Sequence, residues 1–212
     1  ALSEVRRELR ASGFSYPKLA GNAHHRAAWS IIEKTWGWSK RGGRLMAPVE
    51  WQKLERKITS SKNISVISSE FFSQANDEQL ANLAGKIKGM DVEVIFTWRP
   101  LPFMLASSYQ QYLKYGVKLS YTKWLDLIFK TPGESRYTPS FWLRNLHGDV
   151  VSRWAEVFGV ENISLIAVDE SNPNFLYNSF SELAGIPSGI IREPVHKEMN
   201  RSLTFNESAL LL

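Results

Sequence analysis

The sequence predicts an α/β fold in which helices flank a mostly parallel sheet. Three short apolar runs, at residues 63–70, 91–98 and 162–170, are predicted strands, and apolar residues recur at helical spacing between them. Strands that alternate with helices are typical of parallel sheets. The 212 residues suit a single domain spanning 1–212, and a hydrophobic content of 43% is sufficient for a core.

The predicted elements follow one another along the whole chain. The strand at 91–98 is nearly all apolar, which indicates that it is covered on both faces, and the strand at 63–70 is also expected to be buried. An extended connection is expected at 14–22, and Asn76 or Asp77 is expected to cap the helix at 77–88. Helices are predicted at residues 1–11, 23–36, 49–58, 77–88, 101–115, 121–130, 139–158 and 173–184.

Composition excludes several kinds of protein. The chain has no cysteine, which excludes disulfides, thiolate metal sites and a cysteine nucleophile and fits a cytoplasmic location. No apolar stretch in the sequence is long enough to span a membrane, and the charged first residues are not expected to be a secretory signal. A net charge of +5 suggests an anionic partner, but basic residues are scattered among acidic ones, so nucleic acid is not expected. The sequence leaves the oligomeric state open.

The predicted strands end in polar residues, where ligands bind in parallel α/β sheets. Three such segments follow the strands: Ser68-Ser69-Glu70, Trp98-Arg99-Pro100 and Asp169-Glu170. Any ligand of the predicted sheet is therefore expected to meet side chains from these segments.

Arg99 is the first candidate binding residue. It precedes a predicted helix whose first N–H groups are unpaired and favour anions, and Ser107 lies about two turns inside that helix. A phosphate would accept a bidentate pair from Arg99 and a hydrogen bond from Ser107. The spacing alone fits equally well an arginine that pairs with a carboxylate and a serine that packs against a neighbouring helix.

The strand, arginine, helix and serine resemble the 3′-phosphate-binding element of sulfotransferases that use 3′-phosphoadenosine 5′-phosphosulfate (PAPS). Four further segments are similar to bacterial members of that family and occur in the family's order. They are "RASGFSYPKLAGNAHHRAAW" at 10–29, "ISVISSEFF" at 64–72, "WAEVFGVENISLIAVDE" at 154–170 and "MNRSLTFNESALLL" at 199–212. The resemblance implies a three-layer P-loop NTPase-like fold, PAPS as the donor and adenosine 3′,5′-bisphosphate (PAP) as the product.

The sequence departs from the family in one respect. Family members open with a strand and a loop of the Lys-x-Gly-Thr-Thr type that holds the 5′-phosphosulfate, and this sequence contains no such loop and no G-x-x-x-x-G-K-[ST] motif. We expect the 212 residues to be a trimmed stretch of a longer protein. The alternative is a degenerate relative that has lost the loop and, with it, half of the donor site.

Three residues are candidates for the base that deprotonates an acceptor hydroxyl. His24 and His25 stand at the start of a predicted helix, whose N-terminus favours neutral imidazole. Glu70 ends the 63–70 strand. The alternatives are capping or surface histidines and a first-turn carboxylate. Adjacent histidines cannot bind one ion in the i, i+4 geometry of a helix, so no metal is expected.

Two other segments are candidate binding elements. The late Asn-x-Ser resemblance implies that Asn200, Arg201 and Ser202 reach the nucleotide, the alternative being a turn that anchors a C-terminal helix. The basic, glycine-containing loop at 38–44 suits a lid or an acceptor-binding loop, the alternative being a solvated loop.

The resemblance implies transfer of a sulfuryl group from PAPS to the hydroxyl of a carbohydrate, glycolipid or small metabolite. One alternative is a P-loop kinase or other phosphotransferase. Another is a non-catalytic basic module that binds nucleic acid or an anionic glycan.

Overall fold

Parallel strand pairing organises the fold. The computed structural model describes residues 2–20, 24–33, 45–132, 140–169, 171–172 and 174–193. Among these, β1 (Phe14–Ser15) pairs with β2 (Ile64–Ser65), and β3 (Val94–Trp98) pairs with β4 (Ile163–Ala167). Both pairs are parallel, which confirms an α/β fold with parallel pairing.

Helices make up most of the described chain. Two 3₁₀ helices, Glu70–Gln74 and Val160–Asn162, accompany α-helices that follow the predicted order. The α-helices are α1 Arg6–Ala11, α2 His25–Ile32, α3 Val49–Thr59, α4 Asp77–Lys86, α5 Leu101–Lys114, α6 Tyr121–Lys130, α7 Phe141–Asn145, α8 His147–Phe158 and α9 Phe175–Leu183. Among them, none combines the length and the apolar character that crossing a membrane requires.

The structure corrects several predicted boundaries. The helix predicted at 139–158 is two helices, because Leu146 leaves the helical conformation with ψ at 78°. The strand predicted at 63–70 shortens to Ile64–Ser65, because its partner β1 ends at Ser15 and Pro17 has no N–H to continue the pairing; a 3₁₀ helix begins at Glu70. The expected extended connection contains β1, which no pattern in the sequence distinguishes as a strand.

The predicted cap of α4 is confirmed. The Asn76 side chain accepts from the Gln79 backbone N–H, and the Gln79 side chain accepts in return from the Asn76 N–H. This capping box pairs two donors that the first helical turn leaves free.

The prediction that strands at 63–70 and 91–98 are fully buried is wrong. Ile64 remains 64% exposed and Trp98 42% exposed. Within the described residues each strand has a neighbour along one edge only, so side chains near the other edge stay accessible.

Two hydrophobic clusters cover the strands. The central core combines residues of α2, α3, α4 and α8, and Ile67, Val94, Phe96 and Ile163 pack against it. The terminal core combines α1, β1 and the segment after α9, and Val66, Tyr177 and Phe180 pack against it. The central core therefore contacts Ile67 and the terminal core contacts Val66, both just after β2. Helix α8 of the central core contacts β4, and α9, which packs on the terminal core, contacts β3 and β4.

A third cluster lies apart from the strands and consists mainly of aromatic side chains. Trp124 and Phe141 are fully buried there, with ring centroids 5.6 Å apart in an edge-to-face arrangement. It joins α5, α6 and α7 through Tyr109, Tyr112, Leu113, Val117, Trp124, Ile128 and Phe141. Leu101, the first residue of α5 and close to Arg99, also packs against this cluster.

We expect Leu80→Ala to lower the free energy of unfolding by about 2–5 kcal/mol. Leu80 is completely buried in the central core, so truncation leaves a cavity between α4 and its neighbours. Leu45→Ala is the matched control, because Leu45 is 63% exposed, and its effect should stay within about 0.5 kcal/mol. Urea denaturation measures both, and equal losses would contradict the placement of α4 in the core.

Candidate functional site

Polar side chains gather where β1 and β2 end. The chain leaves β1 through Tyr16 and Pro17 and leaves β2 through Ser68, Ser69 and Glu70. The start of α2, with both histidines, lies against these two segments. Residues far apart in sequence therefore form one polar cluster at the carboxyl ends of the two strands.

His24 is a buried structural residue. Its Nε2 lies 2.9 Å from the Pro17 carbonyl oxygen, and the Ser68 backbone N–H donates to its Nδ1 at 3.1 Å. Because a backbone N–H can only donate, Nδ1 is unprotonated and Nε2 carries the proton. Burial lowers the pKa of His24 below its ordinary value of 6.5. With both ring nitrogens engaged, His24 links the two segments and has no free atom for a substrate, so of the three candidate bases His25 and Glu70 remain.

Tyr16 completes the buried side of this cluster. Its hydroxyl lies 2.8 Å from Ser68 Oγ, and its ring packs edge-on against the His24 ring at 4.6 Å. The Arg6 guanidinium lies 5.1 Å from the centre of the same ring. Burial raises the pKa of Tyr16, so its hydroxyl stays protonated at neutral pH.

His25 faces the accessible side of the cluster. Its Nδ1 lies 2.9 Å from Ser69 Oγ and 3.4 Å from Glu70 Oε2. The side chains of His25 and Glu70 are 42% and 59% exposed. The edge-on ring of Phe71, 5.0 Å away, packs against the imidazole. The arrangement gives an accessible imidazole with a hydroxyl and a carboxylate at one of its nitrogens.

A backbone hydrogen bond orients the Ser69 hydroxyl. As the N-cap of the 3₁₀ helix, Ser69 accepts a hydrogen bond from the Phe71 N–H at 3.3 Å. This contact fixes its hydroxyl between the backbone and His25. No signal in the sequence pointed to the Ser69–His25 contact, because the two residues are 44 positions apart and no periodic pattern relates them.

Arg99 lies at the carboxyl end of β3, as predicted. The Val168 N–H donates to the Trp98 carbonyl at 2.7 Å, which extends the pairing of β3 and β4 up to this point. Pro100 is the N-cap of α5. Beside Arg99 lies a pocket of about 360 Å³ lined by Thr97, Arg99, Met104, Val168 and Leu176.

Ser107 is exposed on α5. It is six residues beyond Leu101, the first residue of the helix, which corresponds to about 9 Å along the helix axis. Ser107 is therefore accessible to a ligand that extends along α5 from Arg99.

Helix α8 contacts the chain at both strand ends. His147, the first residue of α8, packs against Trp98 with ring centroids 4.8 Å apart. Further along α8, the Arg153 guanidinium donates to the Ser73 carbonyl at 3.3 Å. One helix thus contacts both the residue before Arg99 and the 3₁₀ helix that begins at Glu70.

Asp169, in the third of the predicted polar segments, forms hydrogen bonds within its own turn. Asp169 accepts from the Ser171 N–H at 2.8 Å and from its hydroxyl at 2.6 Å, and these bonds lower the pKa of Asp169. Glu170 lies outside the described residues, as do Asn200, Arg201, Ser202 and the loop at 38–44. Within the described part of the chain, no group of three or more His, Asp or Glu side chains is arranged to hold a metal ion.

A scan against protein-family models finds no match for this chain, and neither does a search of curated proteins or a search of solved structures.

We expect the contribution of His24 to stability to depend on pH. The unfolded chain takes up a proton at His24 near pH 6.5, whereas the folded protein resists protonation because of burial. Protonation therefore favours the unfolded state, and stability is lost as the pH falls below this value. In His24→Gln this loss should disappear, so the stability advantage of the wild-type protein should shrink between about pH 8 and about pH 5.5.

Urea denaturation of both proteins at the two pH values measures this difference. A constant difference would contradict the buried, neutral state of His24.

Proposed function

We propose that the protein is a PAPS-dependent sulfotransferase that transfers a sulfuryl group to an acceptor hydroxyl. The observation that carries the proposal is the position of Arg99. It directly follows β3, which belongs to a parallel strand pair, and it precedes the start of α5. This edge concentrates anion-binding groups in α/β proteins. The ordered resemblance of the surrounding segments makes a nucleotide 3′-phosphate the anion that fits.

The strand pairs also support a three-layer P-loop NTPase-like fold. Helices of the central core contact the chain after β2 and both β3 and β4, and the terminal core and α9 contact the same strands. In the described residues, β2 and β3 each pair along one edge only. These open edges are compatible with a single parallel sheet that contains both pairs.

In this proposal Arg99 and Ser107 hold the 3′-phosphate of the donor. A guanidinium binds two phosphate oxygens through its forked N–H groups, and a serine hydroxyl donates to a third. The exposed position of Ser107 on α5 suits this role. Asn200, Arg201 and Ser202 are assigned to the nucleotide by resemblance.

The polar cluster at the ends of β1 and β2 supplies the chemistry on the acceptor. A base, His25 or Glu70, takes the proton from the acceptor hydroxyl as its oxygen forms a bond to the donor sulfur. The bond between that sulfur and the bridging oxygen of PAPS breaks, and PAP leaves with the electron pair. The contacts of α8 with Trp98 and with Ser73 support a donor site and a base at the same side of the sheet.

We expect the protein expressed from its complete reading frame to bind PAP without metal, and Arg99→Ala to weaken binding roughly 10- to 100-fold. The loss follows from removing charged hydrogen bonds to the 3′-phosphate. Calorimetry in the presence of a chelator measures the affinity. Arg56→Ala is the control, because Arg56 is an exposed arginine on α3, and its affinity should be unchanged.

Unchanged affinity in Arg99→Ala would contradict the role of Arg99. Binding of a nucleoside triphosphate with Mg²⁺ in place of PAP would instead favour a P-loop kinase.

We expect Ser107→Ala to weaken PAP binding by about 3- to 10-fold, the loss expected for one hydrogen bond from a neutral hydroxyl. Ser108→Ala is the matched control. The next residue on α5 points about 100° away around the helix axis, so its removal should not change the affinity. Equal effects of the two substitutions would contradict a specific contact with Ser107.

A further inference from the structure

We propose that Ser69 and Glu70 are positioning residues that hold His25 in the tautomer protonated at Nδ1, so that Nε2 accepts the proton of the acceptor hydroxyl. This inference rests on the proposed function for its chemistry. The tautomer itself follows from the contacts at His25 and can be measured without a substrate.

The proton on Nδ1 follows from the two groups that face it. Glu70 Oε2 lies 3.4 Å from Nδ1, and a carboxylate oxygen accepts hydrogen bonds and does not donate them. An unprotonated Nδ1 would direct its lone pair at this negative charge. Ser69 Oγ, 2.9 Å from Nδ1, already accepts one bond from the Phe71 N–H and has a second lone pair for Nδ1–H. Both neighbours are therefore compatible with a proton on Nδ1, and the carboxylate favours it.

The preceding residue carries the opposite tautomer. His24 is protonated at Nε2, since the Ser68 N–H donates to its Nδ1. A second contact, from the His24 backbone N–H to the Ser68 carbonyl at 3.0 Å, fixes the start of α2 against the segment that carries Ser69 and Glu70. His25 follows His24 directly, so this contact also holds the His25 ring close to Ser69 and Glu70.

Among the residues that the structure describes, the other side chains around His25 are not placed to take its proton. Phe71 supplies an apolar ring edge, and Trp29 packs against Phe71 at 4.8 Å. Arg26, the next charged residue on α2, pairs with the buried carboxylate of Glu50 on α3. The charged partner that the structure gives to His25 is Glu70.

This arrangement assigns different roles to His25 and Glu70. Nε2 accepts the proton as the acceptor oxygen bonds to sulfur and the bridging S–O bond of PAPS breaks. The imidazolium that forms then donates from Nδ1 to Ser69 and Glu70, and the carboxylate stabilises its positive charge. A carboxylate that orients a histidine and stabilises its charged form is an established device in general-base catalysis.

Nitrogen NMR of the complete protein labelled with ¹⁵N-histidine tests the tautomer. At about pH 8, where imidazoles are neutral, long-range ¹H–¹⁵N correlations distinguish a protonated Nδ1 from a protonated Nε2. We expect the Nδ1–H pattern for His25 and the Nε2–H pattern for His24. His25→Gln assigns the signals by removing one set, and His24 is an internal reference of the opposite type. An Nε2–H pattern for His25 would overturn the proposal.

Variants at the positioning residues test their roles. In Glu70→Ala we expect the His25 pattern to shift toward Nε2–H and kcat to fall roughly 10- to 100-fold, with KM for PAPS within about 2-fold of wild type. Glu78→Ala removes an exposed glutamate from the first turn of α4 and should change neither. Ser69→Thr keeps the hydroxyl and should retain more activity than Ser69→Ala.

A wild-type pattern and kcat in Glu70→Ala would overturn the role of Glu70. Should the protein have no sulfotransferase activity while His25 shows the Nδ1–H pattern, the proposed function fails and the assigned tautomer stands. Sulfotransferase activity together with the Nε2–H pattern for His25 would overturn the positioning role and leave the proposed function standing.

Discussion

Parallel pairing of strands that pack against helices is the constraint on which the candidate site depends. Parallel pairs are stabilised by helices on their faces, and residues of the central and terminal cores pack against these strands. The strands of each pair run in the same direction, so their carboxyl ends meet and bring distant polar residues together. Arg99 and the Ser69–Glu70 segment owe their positions to this geometry.

The adjacent residues His24 and His25 have different roles because one is buried and the other is accessible, a difference that the sequence alone does not show. His24 is 1% exposed, and its two ring nitrogens are engaged by backbone groups. His25, one position later on α2, turns its ring to the accessible side and meets a hydroxyl and a carboxylate. His24 is the N-cap of α2 and His25 its first residue, so the change of backbone conformation at the helix start directs one histidine to the interior and the next to an accessible site.

Features that depend on local pattern could be predicted from the sequence. The order of strands and helices, the Asn76 cap and the position of Arg99 after β3 all follow from periodicity and from residues close in sequence. Two features depend on residues about fifty positions apart, which no local pattern encodes. One is the contact of Ser69 with His25, and the other is the pairing of β1 with β2. The predicted burial of 63–70 is wrong because apolar content does not reveal how many neighbours a strand has.

The proposed function requires the 3′-phosphate of a donor nucleotide to bind at the carboxyl end of β3, against Arg99. A crystal structure of the complete protein with PAP tests it most directly. We expect the 3′-phosphate of PAP within hydrogen-bonding distance of Arg99 and Ser107. PAP bound away from Arg99 would contradict it.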